Sequence, residues 1–143
     1  MESKVEVTEK EKAVAFLEFQ YTEIKDLSKQ FLTVVAAVLA LSVTFAEKIV
    51  DFTDASLTSR LLLMGAWGLC LFSFVLGGVA IYFIYNIGAL AKDTVLNHNV
   101  PGYKVPPYWR LTKKYVYLCL NVAGILFVIA LFLLVTSGII RVL

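Results

Sequence analysis

The residues of this chain that could carry out chemistry are few and scattered. His98 has no Cys, Asp or Glu at metal-ligand spacing, and the acid–base groups that the second loop and its flanks offer to an active site are Asp93, His98 and several lysines. Cys70 and Cys119 lie singly within apolar stretches, which favours two buried free thiols, with an inter-helix disulfide as the alternative. We therefore predict no catalytic residues, no metal site and no cofactor.

The apolar stretches themselves, 31–46, 61–83 and 115–140, contain no Asp, Glu, Lys, Arg or His. Ionisable residues inside a membrane usually mark ion paths or proton relays, so their absence argues against a proton-coupled carrier and against most intramembrane hydrolases. Asn121 is the most polar side chain within these stretches. It has two interpretations: a pore-lining or interhelical amide, or an amide bonded to a backbone carbonyl at the cytoplasmic end of a helix.

Composition indicates that the apolar stretches need an apolar solvent. Of 143 residues, 59% are hydrophobic and only 17% charged, with a mean hydropathy of +0.80. A domain of this size cannot bury so much apolar surface in one core, and a bilayer is the obvious alternative. The net charge of +2 comes without a basic stripe, so we expect no nucleic-acid partner.

Three long apolar stretches predict an all-α fold, an integral membrane three-helix bundle. An N-terminal amphipathic cytoplasmic helix should be continuous with the first span, since no Gly or Pro intervenes. The apolar stripe of that helix is Val14, Leu17, Tyr21, Ile24 and Phe31, with a gap at Ser28. In chain order, the predicted segments are the amphipathic helix 1–30, the first span 31–50, a short external loop 51–60, the second span with a cytoplasmic extension 61–96, a cytoplasmic loop 97–114, the third span 115–140 and an external C-terminus 141–143.

The distribution of positive charge predicts the orientation. Ten of the 13 lysines and arginines fall on the N-terminal segment, the extension of the second span and the second loop, and three fall on the opposite side. The positive-inside rule then places the N-terminus in the cytoplasm and the C-terminus outside, in the plasma (inner) membrane. Aromatic side chains cluster at the cytoplasmic interface, as an aromatic belt or as a surface for a partner protein; the predicted anchors are Tyr82, Tyr85, Tyr108, Trp109 and Tyr115.

Small residues recur at the four-residue spacing that lets membrane helices approach closely. Ala36 and Ala40 form such a pair in the first span, Ser73 and Gly77 form one in the second, and Gly124 lies in the third. The pattern favours packing within one bundle, with packing between copies as the alternative.

One stretch resembles a known group of proteins. Residues Ser28-Lys29-Gln30-Phe31-Leu32, running into the Ala- and Leu-rich stretch 36–43, resemble small bacterial multi-span membrane proteins and SLATT-type effector domains. In SLATT-type domains a few spans, usually two, are joined to a cytoplasmic helix, whereas three spans are predicted here. The resemblance implies assembly in the membrane and damage to it.

Two hypotheses for function follow. The first is a small non-enzymatic membrane protein that self-associates, as a pore-forming or membrane-perturbing effector would. The alternative is an accessory or scaffold subunit of a larger membrane complex. The expected partners are the lipid bilayer and either a second copy of the chain, giving a homo-oligomer, or another membrane protein.

Overall fold

The structure, a computed structural model, describes residues 10–46, 48, 56–97, 100 and 108–142. These residues form three long helices and include no strand. Helix α1 is Lys10–Thr44, helix α2 is Leu57–Asn97 and helix α3 is Tyr108–Val142. Each helix is long and apolar enough to cross a membrane. The predicted all-α class, with three long apolar helices, is confirmed.

Helix α1 is continuous, but its hydrogen bonding widens to a π-helical turn at Phe16–Tyr21. A π-helical turn accommodates an extra residue, so the faces before and after it no longer follow one 3.6-residue repeat. At the start of α1, Ala13 and Phe16, the first residue of the turn, are buried, while Val14 and Leu17 of the predicted stripe are only half-buried. The buried face there is therefore shifted by one residue from the face that the sequence pattern predicts.

After the turn, the buried face of α1 carries Ser28, Val35 and Ser42 at seven-residue spacing. The gap in the predicted stripe, Ser28, is thus itself buried. Its Oγ donates to the carbonyl oxygen of Ile24 at 2.7 Å, and Ser42 Oγ donates to that of Leu39 at 2.8 Å. Because each hydroxyl is satisfied by its own helix, these serines can lie against a neighbouring helix without an unpaired polar atom.

The three helices alternate in direction and are joined by three clusters of buried side chains at successive levels. The first cluster comprises Ala13, Phe16, Ile84, Ile87, Ala91 and Val116. The second comprises Val35, Cys70, Phe127 and Ala130. The third is built on Ala46 and Leu63, with Trp67 and Leu134 packed against them. From cluster to cluster the numbers rise along α1 and α3 and fall along α2, so successive helices are antiparallel.

Helix α2 lies at the centre of these contacts: it packs extensively on α3 and also on α1, whereas α1 and α3 touch only briefly. Small residues on α2 allow the close approach. A Cβ added to Gly77 would lie 2.6 Å from Leu32 Cδ2, so the α1 side chain occupies the space that any larger residue would need.

The helices extend beyond the predicted spans. Helix α2 begins at Leu57, four residues before the predicted start at 61, and Ser56 Oγ accepts a hydrogen bond from the Ser59 N–H at 3.2 Å in the manner of an N-cap. Helix α3 begins at Tyr108, directly after Pro107 and seven residues before the predicted start at 115. Apolar composition indicates where lipid would be crossed, whereas caps and prolines set the helix ends. The predicted end of the first span at residue 50 lies outside the described residues.

Candidate functional site

Three exposed threonine hydroxyl groups along the helices are satisfied by their own helix. Thr33, Thr44 and Thr136 are exposed, and each Oγ1 donates to the carbonyl oxygen four residues earlier, at 3.0, 2.7 and 2.7 Å respectively. A threonine bonded in this way leaves no free donor at the surface. These side chains therefore do not make the outer surface strongly polar.

Three hydrogen bonds connect the helices inside the described part of the bundle, and the longest runs from Ser59 Oγ of α2 to the Ser137 carbonyl oxygen of α3 at 3.5 Å. Ser73 Oγ, which is fully buried, donates to the Ala123 carbonyl oxygen of α3 at 2.7 Å. Trp67 Nε1 on α2 donates to Ser42 Oγ on α1 at 3.0 Å. Trp67 belongs to no motif in the sequence, and its signal is an indole N–H in the middle of an apolar stretch, which needs an acceptor.

The small residues singled out in the sequence fall in two different environments. Ser73 and Gly77 are buried between helices of the same chain, whereas Ala36 and Ala40 are exposed on α1. Gly124 is half-buried on α3, and a Cβ built there meets no described atom within 4 Å. Packing within the chain thus accounts for the pair on α2, and the pair on α1 faces outward.

Asn121 is exposed on α3 and has no hydrogen-bond partner among the described residues. It borders an open groove of about 390 Å³ on the outer surface of that helix. The groove is lined by Leu120, Asn121, Gly124, Ile125, Val128 and Ile129. The structure therefore places the amide outward. The interpretation of Asn121 as an amide bonded to a backbone carbonyl finds no such bond among the described residues.

The predicted interface anchors lie around one level of the bundle. Tyr82, Tyr85 and Tyr115 are 65, 47 and 56% exposed, close to the first cluster, where Ile84 packs with Val116. The side chains of the two further anchors, at positions 108 and 109, lie outside the described residues.

The start of α1 is fixed at this same level by contacts that the sequence analysis missed. Lys113 Nζ of α3 lies 5.3 Å from the Phe16 ring centre and donates to Gln20 Oε1. The Tyr21 ring lies directly against Gly88 of α2. An apolar stripe alone could not reveal these contacts, because they depend on the rotation that the π-helical turn introduces.

The remaining chemistry-bearing residues form no catalytic or metal constellation in the part of the chain that is described. Asp93 accepts a hydrogen bond from Asn97 one turn away, and no group of three metal-ligating side chains occurs among the described residues. His98 lies outside them.

The two cysteines are both free. Cys70 packs beside Phe127, eight residues and about 12 Å along α3 from Cys119, which is farther than the 4.4–6.8 Å between Cα atoms that a disulfide allows. The alternative of an inter-helix disulfide within one chain is therefore not realised.

Compared with protein-family models, with curated proteins and with solved structures, the chain matches none. The resemblance to SLATT-type effector domains accordingly stays a prediction.

Proposed function

We propose that the chain is a multi-pass integral membrane protein whose three helices each cross the bilayer once. The support is the outward surface of the helices. Large apolar side chains such as Leu41, Phe72 and Phe132 are 58, 58 and 70% exposed, and similar residues follow along all three helices. A soluble protein rarely exposes so continuous an apolar surface, whereas hydrocarbon is its natural solvent.

The proposed orientation has the N-terminus in the cytoplasm and the C-terminus outside, in the plasma (inner) membrane. Positive charge and aromatic side chains coincide at one end of the bundle. Lys25 and Lys29 of α1 and Lys113 and Lys114 of α3 lie at the end that also carries the exposed tyrosines. An excess of Lys and Arg marks the cytoplasmic face, and tyrosines are enriched at the membrane interface on either side.

The function that the geometry supports best is self-association in the membrane, without enzymatic activity. The observation that carries it is the exposed amide of Asn121 on an otherwise apolar face. Asn121 lies about 12 Å along α3 from Lys113, toward the interior of the proposed span. An amide unpaired in hydrocarbon costs several kcal/mol, and an interhelical hydrogen bond offsets part of that cost.

Self-association is the property that a pore-forming or membrane-perturbing effector needs, and the SLATT-type resemblance implies the same activity. A path across the membrane between copies would be lined by the outward faces of their helices. The polar side chains exposed there in the described spans are mainly the amides of Asn86 and Asn121 and the hydroxyls of Thr33, Thr44 and Thr136, whose protons are bonded to their own helices. We therefore propose a membrane-perturbing assembly with a narrow, largely apolar path in preference to a wide aqueous channel.

The test is the oligomeric mass of the purified protein by native mass spectrometry from mild detergent, together with dye release from liposomes. The proposal predicts a discrete assembly of several copies and a leak that increases with the protein-to-lipid ratio. A monomer at every concentration would overturn self-association. An assembly that releases no dye would overturn the membrane-perturbing activity alone.

The exposed tyrosines favour a second candidate function, an accessory or scaffold subunit of a larger complex. Tyr82, Tyr85 and Tyr115 present aromatic rings beside lysines at the proposed cytoplasmic face, and Tyr is enriched at protein interfaces. Crosslinking in native membranes separates the two functions. Self-contacts alone favour the first, and a reproducible second membrane protein favours the accessory subunit.

A further inference from the structure

We infer that the outward face of α3 is a seam that pairs with α3 of a second copy, with Asn121 meeting its own counterpart. This inference rests on the proposed membrane insertion and self-association, and it specifies the surface and the partner. The residues of the seam are Leu118, Asn121, Ile125, Val128, Phe132, Val135 and Ile139.

The spacing and exposure of these residues define the seam. They follow one another at alternating intervals of three and four, which is the heptad spacing of helices that pack side by side. Each apolar member is at least 50% exposed, whereas the exposed aliphatic residues that flank the seam, Val122, Ile129 and Ile140, are 38, 44 and 36% exposed. The seam is thus the ridge of α3 farthest from the other two helices of its own chain.

The chemistry of Asn121 indicates a second copy as the occupant. A carboxamide has both a donor and an acceptor, so two of them can satisfy each other. All copies of a membrane protein insert in the same direction, so in a symmetric pair the two Asn121 side chains lie at the same depth. A single Asn in an otherwise apolar seam also fixes register and oligomeric state.

The shape of the surface permits the approach. Gly124, one residue before Ile125, leaves open space on the groove that Asn121 borders. The groove, of about 390 Å³, provides room for side chains of the facing seam such as Ile125 and Val128. A helix surface with a small residue beside branched ones is typical of close packing between membrane helices.

Disulfide crosslinking of single cysteines in the full-length protein tests the seam. The background carries Cys70→Ala and Cys119→Ala, and native mass spectrometry checks that it assembles as the wild type does. In this background the crosslinking yields of Ile125→Cys and Val128→Cys are compared with that of Phe72→Cys. Phe72 is a matched control because it is 58% exposed on α2 and lies at a similar depth, since its neighbour Ser73 bonds to Ala123. Oxidation in liposomes at low protein-to-lipid ratio should crosslink both seam cysteines and leave the control largely monomeric.

The contribution of the amide is tested by dilution. Asn121→Leu should raise the dissociation constant of the assembly by about 3- to 30-fold, the range for one interhelical hydrogen bond. The dissociation constant is measured from the yield of the Val128→Cys crosslink across a lipid-dilution series. Asn86→Leu removes another exposed amide outside the seam and should leave the dissociation constant unchanged.

Equal crosslinking at Phe72→Cys, or no effect of Asn121→Leu, would overturn the seam. If native mass spectrometry still shows an assembly in that case, self-association stands and uses another face, such as the exposed Ala36 and Ala40 of α1. A monomer by mass, with no crosslink at any position, would overturn the seam and the proposed function together.

Discussion

The contact between Tyr21 and Gly88 should set how firmly the start of α1 is held on α2. A Cβ at Gly88 would lie within 3.0 Å of Tyr21 Cε2, Cζ and Oη. The ring has little room to retreat, because Phe16 lies 6.2 Å away between ring centres and Lys25 Nζ lies 5.3 Å from its centre. We therefore expect Gly88→Ala to displace the ring and weaken the docking of α1.

The magnitude follows from a comparison with Gly78→Ala, a second glycine in the same helix. A Cβ at Gly78 meets no described atom within 4 Å. Both substitutions gain about 0.5–1 kcal/mol of helix stability on losing the glycine, so this gain cancels in the comparison. Overpacking costs about 1–3 kcal/mol, and Gly88→Ala should be less stable than Gly78→Ala by that amount.

The assay is reversible unfolding in mixed detergent micelles with increasing SDS. In a Tyr21→Ala background, the difference between the Gly88→Ala and Gly78→Ala variants should disappear, because the ring that opposes the new methyl group is gone. Equal stability of the two alanine variants in the wild-type background would refute the proposed close contact. A difference that persists without the Tyr21 ring would assign the cost to something else.

Three further predictions concern polar and thiol groups inside the bundle. Ser73→Ala should destabilise the protein by about 0.6–1.7 kcal/mol through loss of the bond to α3, whereas Thr136→Ala, whose hydroxyl bonds only its own helix, should be close to neutral in the same SDS titration. Trp67→Phe should cost a similar amount by removing the indole donor to α1 while retaining an aromatic ring. A small maleimide should label Cys119 faster than Cys70 in mild detergent, because Cys70 is fully buried, and both equally in SDS; equal native rates would contradict the packing of the second cluster.

The number of helices and their approximate centres could be predicted from the sequence because uninterrupted apolar stretches leave little alternative. Which face of each helix is buried against its neighbours could not be predicted. Ser73 with Gly77 and Ala36 with Ala40 are indistinguishable as sequence patterns, yet the first pair is buried and the second is exposed. A helix that is apolar all round has no polar side to indicate which face meets its neighbours.

The amphipathic start of α1 shows a different limit. Its polar and apolar residues alternate clearly, so the helix itself was predictable. In the structure Ala13 and Phe16 are the fully buried residues there, and Leu17, Tyr21 and Ile24 of the predicted stripe pack against them while half-buried. The π-helical turn at Phe16–Tyr21 depends on tertiary contacts that a local pattern does not contain.

The central claim, that three helices each cross a bilayer once, is tested most directly by reporter fusions in a bacterial inner membrane. Alkaline phosphatase, active only outside, and green fluorescent protein, fluorescent only inside, would each be fused after Leu143 and before Met1. The account predicts active phosphatase and no fluorescence at Leu143, with the opposite result at Met1. Fluorescence from both ends would mean an even number of crossings and would contradict the claim.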